Sequence, residues 1–196
     1  MNPAPLQALA RLLTATPESA WNLEGETAEA VADGIRLNRL EPWCFVQGWD
    51  PDRWRDAYLL NVRPAETALA LGVQTVEALE RSGIACIPMR GPFWGMQYAQ
   101  DAAARTFSDL DVLVPPADAG RALKLLLARG FQLRPRGLPA LYYRAIHLHY
   151  PLVHPASGHY CDVHWAVDHP FRAGRIDYPA IFHGATVRDF GGLRWR

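Results

Sequence analysis

The chain has 196 residues, enough for one domain with a sizeable core and a smaller helical appendage. Apolar residues make up 49% of the sequence and charged residues 20%, which is the balance of a folded protein and excludes extensive disorder. The 20 basic and 20 acidic side chains cancel, so no global field draws the protein to nucleic acid or to an anionic membrane.

Three cysteines, Cys44, Cys86 and Cys161, are odd in number and lack CxxC spacing, which argues against a disulfide framework or a zinc ribbon. The first residues lack the basic and apolar layout of a signal peptide. No apolar run approaches the roughly 18 residues of a membrane span. These features predict a cytoplasmic protein with reduced thiols and no membrane partner.

The first part of the sequence predicts helices. Apolar residues recur at helical spacing in 5–13. Longer helices are predicted at 27–40, where Pro42 would end the helix, and at 64–81. We therefore expect residues 1–63 to form an N-terminal helical region.

After residue 83 the pattern changes to short apolar runs, which are typical of strands. Residues 84–88 form one such run and 108–114 a second one, which two prolines end. A short helix is predicted between them, and another one at 118–128. The remaining predicted strands cover 131–133, 142–153 and 160–167, with a hairpin at 185–196. We expect residues 64–196 to form an α+β core.

Asp109 and Asp111 carry the strongest functional signal. They alternate with apolar residues along the second strand, so both carboxylates lie on one face. Their Cα atoms should be about 6.6 Å apart, a separation that side chains can close around a divalent ion. Taken alone, the pair could also lie at an exposed strand end and only solubilise it. Asp162 and His164, however, share a face of another strand, and three acids on adjacent strands are typical of two-metal phosphoryl or nucleotidyl transfer.

Several elements within 83–165 match one protein family in combination. They are a strand ending in Met89, Arg90 and Gly91, a short helix, Arg105 before SDLDVLV, a helix ending in RGF, and an acidic-x-His-Trp strand with Asp162, His164 and Trp165. With these elements the chain resembles the uncharacterised nucleotidyltransferase family of the DNA polymerase beta superfamily. The resemblance implies a mixed β-sheet with flanking helices and an N-terminal helical layer. Members of the family usually continue into further helices, so we expect the core to lack a C-terminal helical region.

The resemblance also implies a role for each acidic residue. Asp109 and Asp111 are expected to hold Mg²⁺ or Mn²⁺. Asp162 is expected to complete the metal site and to favour deprotonation of an acceptor hydroxyl. Gly91 and Ser108 are expected to lie near the triphosphate of an NTP substrate.

Three more residues receive expected roles. Arg90 and Arg105 are natural phosphate partners, because a guanidinium can make bidentate contacts to phosphate oxygens. Arg105 could equally anchor its loop to a neighbouring carboxylate. His164 is expected to orient the acidic cluster or to pack beside Trp165.

The leading functional hypothesis is a metal-dependent enzyme that transfers a nucleoside monophosphate from NTP to a hydroxyl of a small molecule, peptide or protein. A non-catalytic nucleotide- or partner-binding module of the same fold is the alternative, because Gly91 is followed by Pro92, which offers a phosphate neither a hydroxyl nor an N–H. A glycosyltransferase also uses a DxD pair, but it does not require the third acidic strand.

Two groups of residues have no assigned role. His147 and His149 would share a strand face near His154; strand-surface packing is preferred to nucleotide contact, and both to a zinc site, which would need a further ligand or an open position. Arg134 and Arg136 lie in one of the most basic stretches, which is too sparse for a nucleic-acid groove and is predicted to be solvated surface.

Overall fold

The computed structural model describes residues 26–134, 139–168, 176–190 and 193–195. The predicted helix at 5–13 lies outside these residues. Within the described ranges, no helix has both the length and the apolar character that a bilayer crossing requires.

The described residues form seven α-helices and seven strands. The helices are α1 (Glu26–Leu37), α2 (Glu41–Val46), α3 (Pro51–Arg81), α4 (Pro92–Ala99), α5 (Ala119–Ala128), α6 (Ala140–Ile146) and α7 (Tyr178–Gly184). The strands are β1 (Ile87–Pro88), β2 (Asp109–Leu113), β3 (Gln132–Leu133), β4 (His149–His154), β5 (His159–His164), β6 (Arg188–Phe190) and β7 (Leu193–Trp195).

Five of the strands form a mixed sheet in the order β1-β2-β5-β4-β3. The central pair, β2 and β5, is parallel, and the other neighbours are antiparallel. Strands β6 and β7 form the predicted hairpin as a separate pair. The predicted α+β fold, a mixed sheet flanked by helices, is confirmed.

One face of the sheet is buried against helices α3 and α5. Leu110 and Val112 of β2 lie on this face beside Cys161 and Val163 of β5, and all four side chains are almost completely buried. Helix α5 contributes Leu126 to the same core. Because side chains alternate along a strand, this burial turns the aspartates of β2 and β5 to the opposite face.

Helix α3 is longer than predicted. The sequence indicated a start at Pro64, which is wrong, because the helix begins at Pro51 and continues through Pro64. Contacts on one side of the helix outweigh the helix-breaking tendency of the proline: Ala65 is buried, and the amide of Asn61 donates to the carbonyl of Ala103. The predicted boundary at 63/64 falls inside this helix, and the division into two regions stays a prediction.

Two other expectations were wrong in detail. Pro42 lies in the first turn of α2, so it belongs to a new helix, while α1 ends at Leu37. The first part of the predicted strand at 142–153 is helical, because Ala140 and Tyr143 are three residues apart and both pack on the core. The β propensity of neighbouring tyrosines concealed this helical spacing.

Candidate active site

The parallel pairing of β2 and β5 brings three carboxylates together. Asp111 pairs directly with Asp162, and Asp109 lies two residues earlier on the same face of β2. One carboxylate oxygen from each residue lies within 4.8 Å of the others. Asp111 and Asp162 are only 6% and 7% exposed. Buried carboxylates are costly without a cation or hydrogen-bond donors, so this cluster is suited to a positive charge.

Arg134 supplies a positive charge beside the cluster. Its Nη2 lies 3.2 Å from Asp162 Oδ1 and 3.9 Å from Asp109 Oδ2. The guanidinium carbon lies 4.0 Å from the centre of the Tyr160 ring, within the range of a cation–π contact. The expectation that Arg134 is solvated surface was wrong. The backbone N–H of Arg134 donates a hydrogen bond to the carbonyl of Pro151 on β4, and Pro151 pairs with Asp162 on β5. The side chain of Arg134 therefore reaches Asp162 by crossing β4 alone.

Two histidines flank the same carboxylates. His164 Nε2 lies 2.9 Å from Asp111 Oδ1, and His149 Nε2 lies 3.4 Å from Asp162 Oδ2. The two histidines pair across β4 and β5, and their ring centroids are 4.8 Å apart. The contact with Asp111 supports the orienting role expected of His164. Of the histidines at 147, 149 and 154, only His149 lies in this cluster. His147 directly follows α6 and is not part of β4, so the expectation that it shares a strand face with His149 was wrong. His154 contacts Ser157 at the far end of β4.

Three of the other predicted site residues border the carboxylates. Ser108 Oγ donates a hydrogen bond of 3.1 Å to Asp109 Oδ1. Arg90 Nε lies 4.0 Å from Asp111 Oδ2, and its side chain is mostly exposed. Gly91 has a φ of 72°, and a Cβ at this position would lie 2.9 Å from the backbone oxygen of Asp109. Glycine therefore allows the loop to approach the start of β2 closely.

Arg105 lines a cavity that none of the three aspartates lines. Its guanidinium carbon is 4.9 Å from the ring centre of Trp94, and the cavity of about 700 Å³ is also lined by Trp43 and Tyr98. Within the part of the chain that the structure describes, no ion pair joins Arg105 to a carboxylate. The expected roles of Arg105 in phosphate binding or in anchoring its loop to a carboxylate stay predictions.

A sequence model of the uncharacterised nucleotidyltransferase family matches residues 36–194. The chain belongs to this family. The match covers the whole carboxylate cluster and confirms the resemblance seen in the sequence. No curated protein and no solved structure matches the chain.

A divalent ion fits the residues of this nucleotidyltransferase-family site. Carboxylate oxygens are the ligands that Mg²⁺ and Mn²⁺ prefer, and the three aspartates offer three of them within 4.8 Å. Two of these aspartates are nearly buried, which makes a compensating cation more favourable. The geometry thus supports the metal-ligand roles predicted for Asp109, Asp111 and Asp162.

The environments of the site residues shift their pKa values in different directions. Burial raises the pKa of Asp162 to about 6, and the charges of Asp109 and Asp111 add to this rise, while Arg134 opposes it. For Asp111, burial also acts to raise the pKa, but the hydrogen bond and the charge of His164 help to bring it below its ordinary value. Two neighbouring carboxylates whose pKa values are pushed apart are typical of sites that divide acid and base roles.

The stability of the metal-free protein should depend on pH through Asp162 and His149 in opposite directions. The raised pKa of Asp162 gives stability that is present below about pH 4 and is lost as the pH rises through 6. Burial and neighbouring histidines lower the pKa of His149 to about 4. Its contribution is present above about pH 6.5 and is lost as the pH falls towards 4. The two contributions, each about 3 kcal/mol at most, therefore offset each other in the same window.

Removing one of the two groups should reveal the effect of the other. We expect the free energy of unfolding in urea to rise from about pH 4.5 to 7 in Asp162→Asn, and to fall over the same range in His149→Gln. The wild type should change less than either variant. Asp33→Asn, which changes an exposed carboxylate on α1, should follow the wild type. Identical slopes in all four proteins would contradict the assigned pKa directions.

Gly91→Ala should lower the free energy of unfolding by about 1–3 kcal/mol, more than Gly83→Ala. Both glycines have a similar positive φ, 72° and 69°, so alanine is strained at both positions. Only at Gly91 would the new Cβ meet a neighbour, the backbone oxygen of Asp109 at 2.9 Å. Denaturant unfolding of both variants measures the difference. Equal losses would show that the close approach to β2 does not constrain this loop.

Proposed function

We propose that this protein catalyses the metal-dependent transfer of a nucleoside monophosphate from NTP to a hydroxyl group of a small molecule, peptide or protein. The observation that carries the proposal is the cluster of Asp109, Asp111 and Asp162, whose carboxylate oxygens lie within 4.8 Å of one another in a chain of the nucleotidyltransferase family.

The reaction forms one bond and breaks another at the α-phosphorus. The acceptor oxygen bonds to this phosphorus, the bond to the bridging oxygen of the β-phosphate breaks, and pyrophosphate leaves. Asp109, Asp111 and Asp162 would hold Mg²⁺ or Mn²⁺, which supplies Lewis-acid stabilisation of the charged phosphoryl oxygens. Asp162, as the third ligand, would complete the metal site and favour deprotonation of the acceptor hydroxyl.

Basic and polar side chains beside the carboxylates are suited to the triphosphate. Arg90 is mostly exposed, so its guanidinium is free to make bidentate contacts to phosphate oxygens. Arg134 lies between Asp109 and Asp162. A cation bound to these carboxylates would replace the positive charge of Arg134, and its guanidinium would then be available to bind phosphate oxygens. Ser108 and Gly91 lie at the start of β2, where the chain passes close to Asp109. In the proposal, Arg105 also contacts the phosphates.

The direct test is pyrophosphate release with each of the four NTPs in the presence of Mg²⁺ or Mn²⁺, together with transfer of label from α-labelled NTP to added hydroxyl compounds or to the protein itself. We expect release in the wild type and in Asp33→Asn, and none above background in Asp109→Asn. Pyrophosphate release that Asp109→Asn retains would contradict the assignment of this site.

One observation favours the alternative of a binding module without turnover. Pro92 follows Gly91 at the first position of α4, so the N-terminus of this helix lacks one N–H that a phosphate could use. Calorimetry with a non-hydrolysable NTP and Mg²⁺ separates the two functions. Tight metal-dependent binding without any pyrophosphate release would support the binding module.

A further inference from the structure

We propose that His149, Asp162 and His164 form a second metal position, which takes a first-row transition ion such as Zn²⁺ and discriminates against Mg²⁺. The proposal goes beyond nucleotidyl transfer, because it concerns a nitrogen-containing donor set on the other side of Asp162. Ion binding at this position can be measured without nucleotide or acceptor.

The strand register places the three donors on one face of the sheet. His149 of β4 pairs with His164 of β5, and Asp162 lies two residues before His164 on the same strand. One ligand atom from each residue lies within 4.8 Å of the others, and His149 Nε2 is 3.4 Å from Asp162 Oδ2. Ligands at about 2.0–2.2 Å from one ion lie about 3–3.5 Å apart at tetrahedral or octahedral angles. The pair of His149 and Asp162 already has this separation, and binding an ion requires side-chain rotations that bring His164 Nε2 to the same distance.

The donor set selects the type of ion. Two imidazoles and one carboxylate suit Zn²⁺ and its neighbours in the first transition row, whereas Mg²⁺ prefers an all-oxygen octahedron. Three protein ligands leave at least one position for water or for a substrate atom. The side chains are mostly buried, with exposures of 28%, 10% and 18% for His149, Asp162 and His164, so little water competes with the ligands.

The second position shares Asp162 with the three-carboxylate cluster, but the two oxygens of Asp162 face different neighbours. Oδ2 faces His149, whereas Oδ1 faces Arg134, which also lies near Asp109. One carboxylate can thus bridge two ions, which lie about 3.5–4 Å apart in two-metal sites. His164 Nε2 would exchange its hydrogen bond with Asp111 for a bond to the ion.

Titration of the metal-free protein with Zn²⁺ or Mg²⁺, at neutral pH and without nucleotide, tests the proposal. We expect His149→Gln and His164→Gln each to weaken Zn²⁺ binding by at least about tenfold, and His149→Gln, which does not contact Asp111, to change Mg²⁺ binding less than it changes Zn²⁺ binding. Asp109→Asn should keep the Zn²⁺ affinity within about threefold. His154→Gln is the matched control, because this histidine lies at the other end of β4 and contacts Ser157.

A measurement on the wild type avoids any dependence on the folding of the variants. The imidazole ¹⁵N resonances of His149 and His164 should shift when Zn²⁺ is added, and those of His154 should not. The proposal is overturned if the wild type does not bind Zn²⁺, or if both site-histidine variants keep the wild-type affinity for Zn²⁺. If the protein binds Zn²⁺ at these residues but releases no pyrophosphate, the proposed function is contradicted and the proposal of this metal position is not.

Discussion

Asp109→Asn and Asp111→Asn should each leave the fold intact and abolish metal-dependent nucleotide binding, with a loss of at least about 100-fold in affinity, or about 2.7 kcal/mol. Asparagine keeps the shape of aspartate but removes the negative charge that a divalent ion requires. The two aspartates share one face of β2 beside Asp162. Calorimetry with Mg²⁺ and a non-hydrolysable NTP measures the loss.

Near-UV circular dichroism should show unchanged tertiary packing in both variants. The two positions differ in burial, since the side chain of Asp111 is 9% exposed and that of Asp109 is 33% exposed. Asp33→Asn on α1 serves as the control for the loss of one carboxylate charge. If Asp109→Asn and Asp111→Asn both bind Mg²⁺ and nucleotide with wild-type affinity, these two residues are not part of the binding site.

Asp162→Asn should separate binding from turnover. We expect nucleotide affinity within about tenfold of the wild type, a loss of about 1.4 kcal/mol or less, because Asp109 and Asp111, the other two proposed ligands, would still hold the cation. Turnover should fall by about 10²–10⁴-fold, since a group that accepts the acceptor proton acts mainly in the transition state. Pyrophosphate release under saturating NTP measures this fall.

The same variant should change the thermal response to divalent ions. An ion that binds only the folded state raises the melting temperature. We expect Asp162→Asn to have a higher melting temperature than the wild type without metal at neutral pH, because burial disfavours the ionised carboxylate. Its melting temperature should rise less on addition of Mg²⁺ or Mn²⁺.

Wild-type turnover in Asp162→Asn would show that this residue has only a structural role, and the three-carboxylate mechanism would be wrong.

The carboxylate cluster could be predicted from the sequence because its signal is local. Alternation in DLDVL fixes which side chains of β2 face the core, and the same rule applies to Asp162 and His164 on β5. The family resemblance then placed the two strands in one site. The burial of Leu110 and Val112 in the structure agrees with this alternation.

Arg134 and His149 could not be placed from the sequence, because their positions depend on strand order. Both enter the site only because β4 lies beside β5 and β3 lies beside β4, an arrangement that no short motif records. His149 was considered with histidines close to it in sequence, but its partner in space is His164, on another strand. Arg134 follows a strand of only two residues, so its facing direction had no periodic signal.

The pairing of distant segments has a consequence for the order of folding. His164 and Asp111 contact each other although 53 residues separate them, and the parallel pairing of their strands requires a long crossover. Loop-closure entropy opposes such contacts until the intervening elements have formed, so the carboxylates of β2 remain solvated while local helices assemble. The repulsion between these carboxylates and Asp162 of β5 is therefore absent from the early steps. An ion bound by these carboxylates would stabilise contacts that form late, so we expect it to slow unfolding and to leave the folding rate almost unchanged.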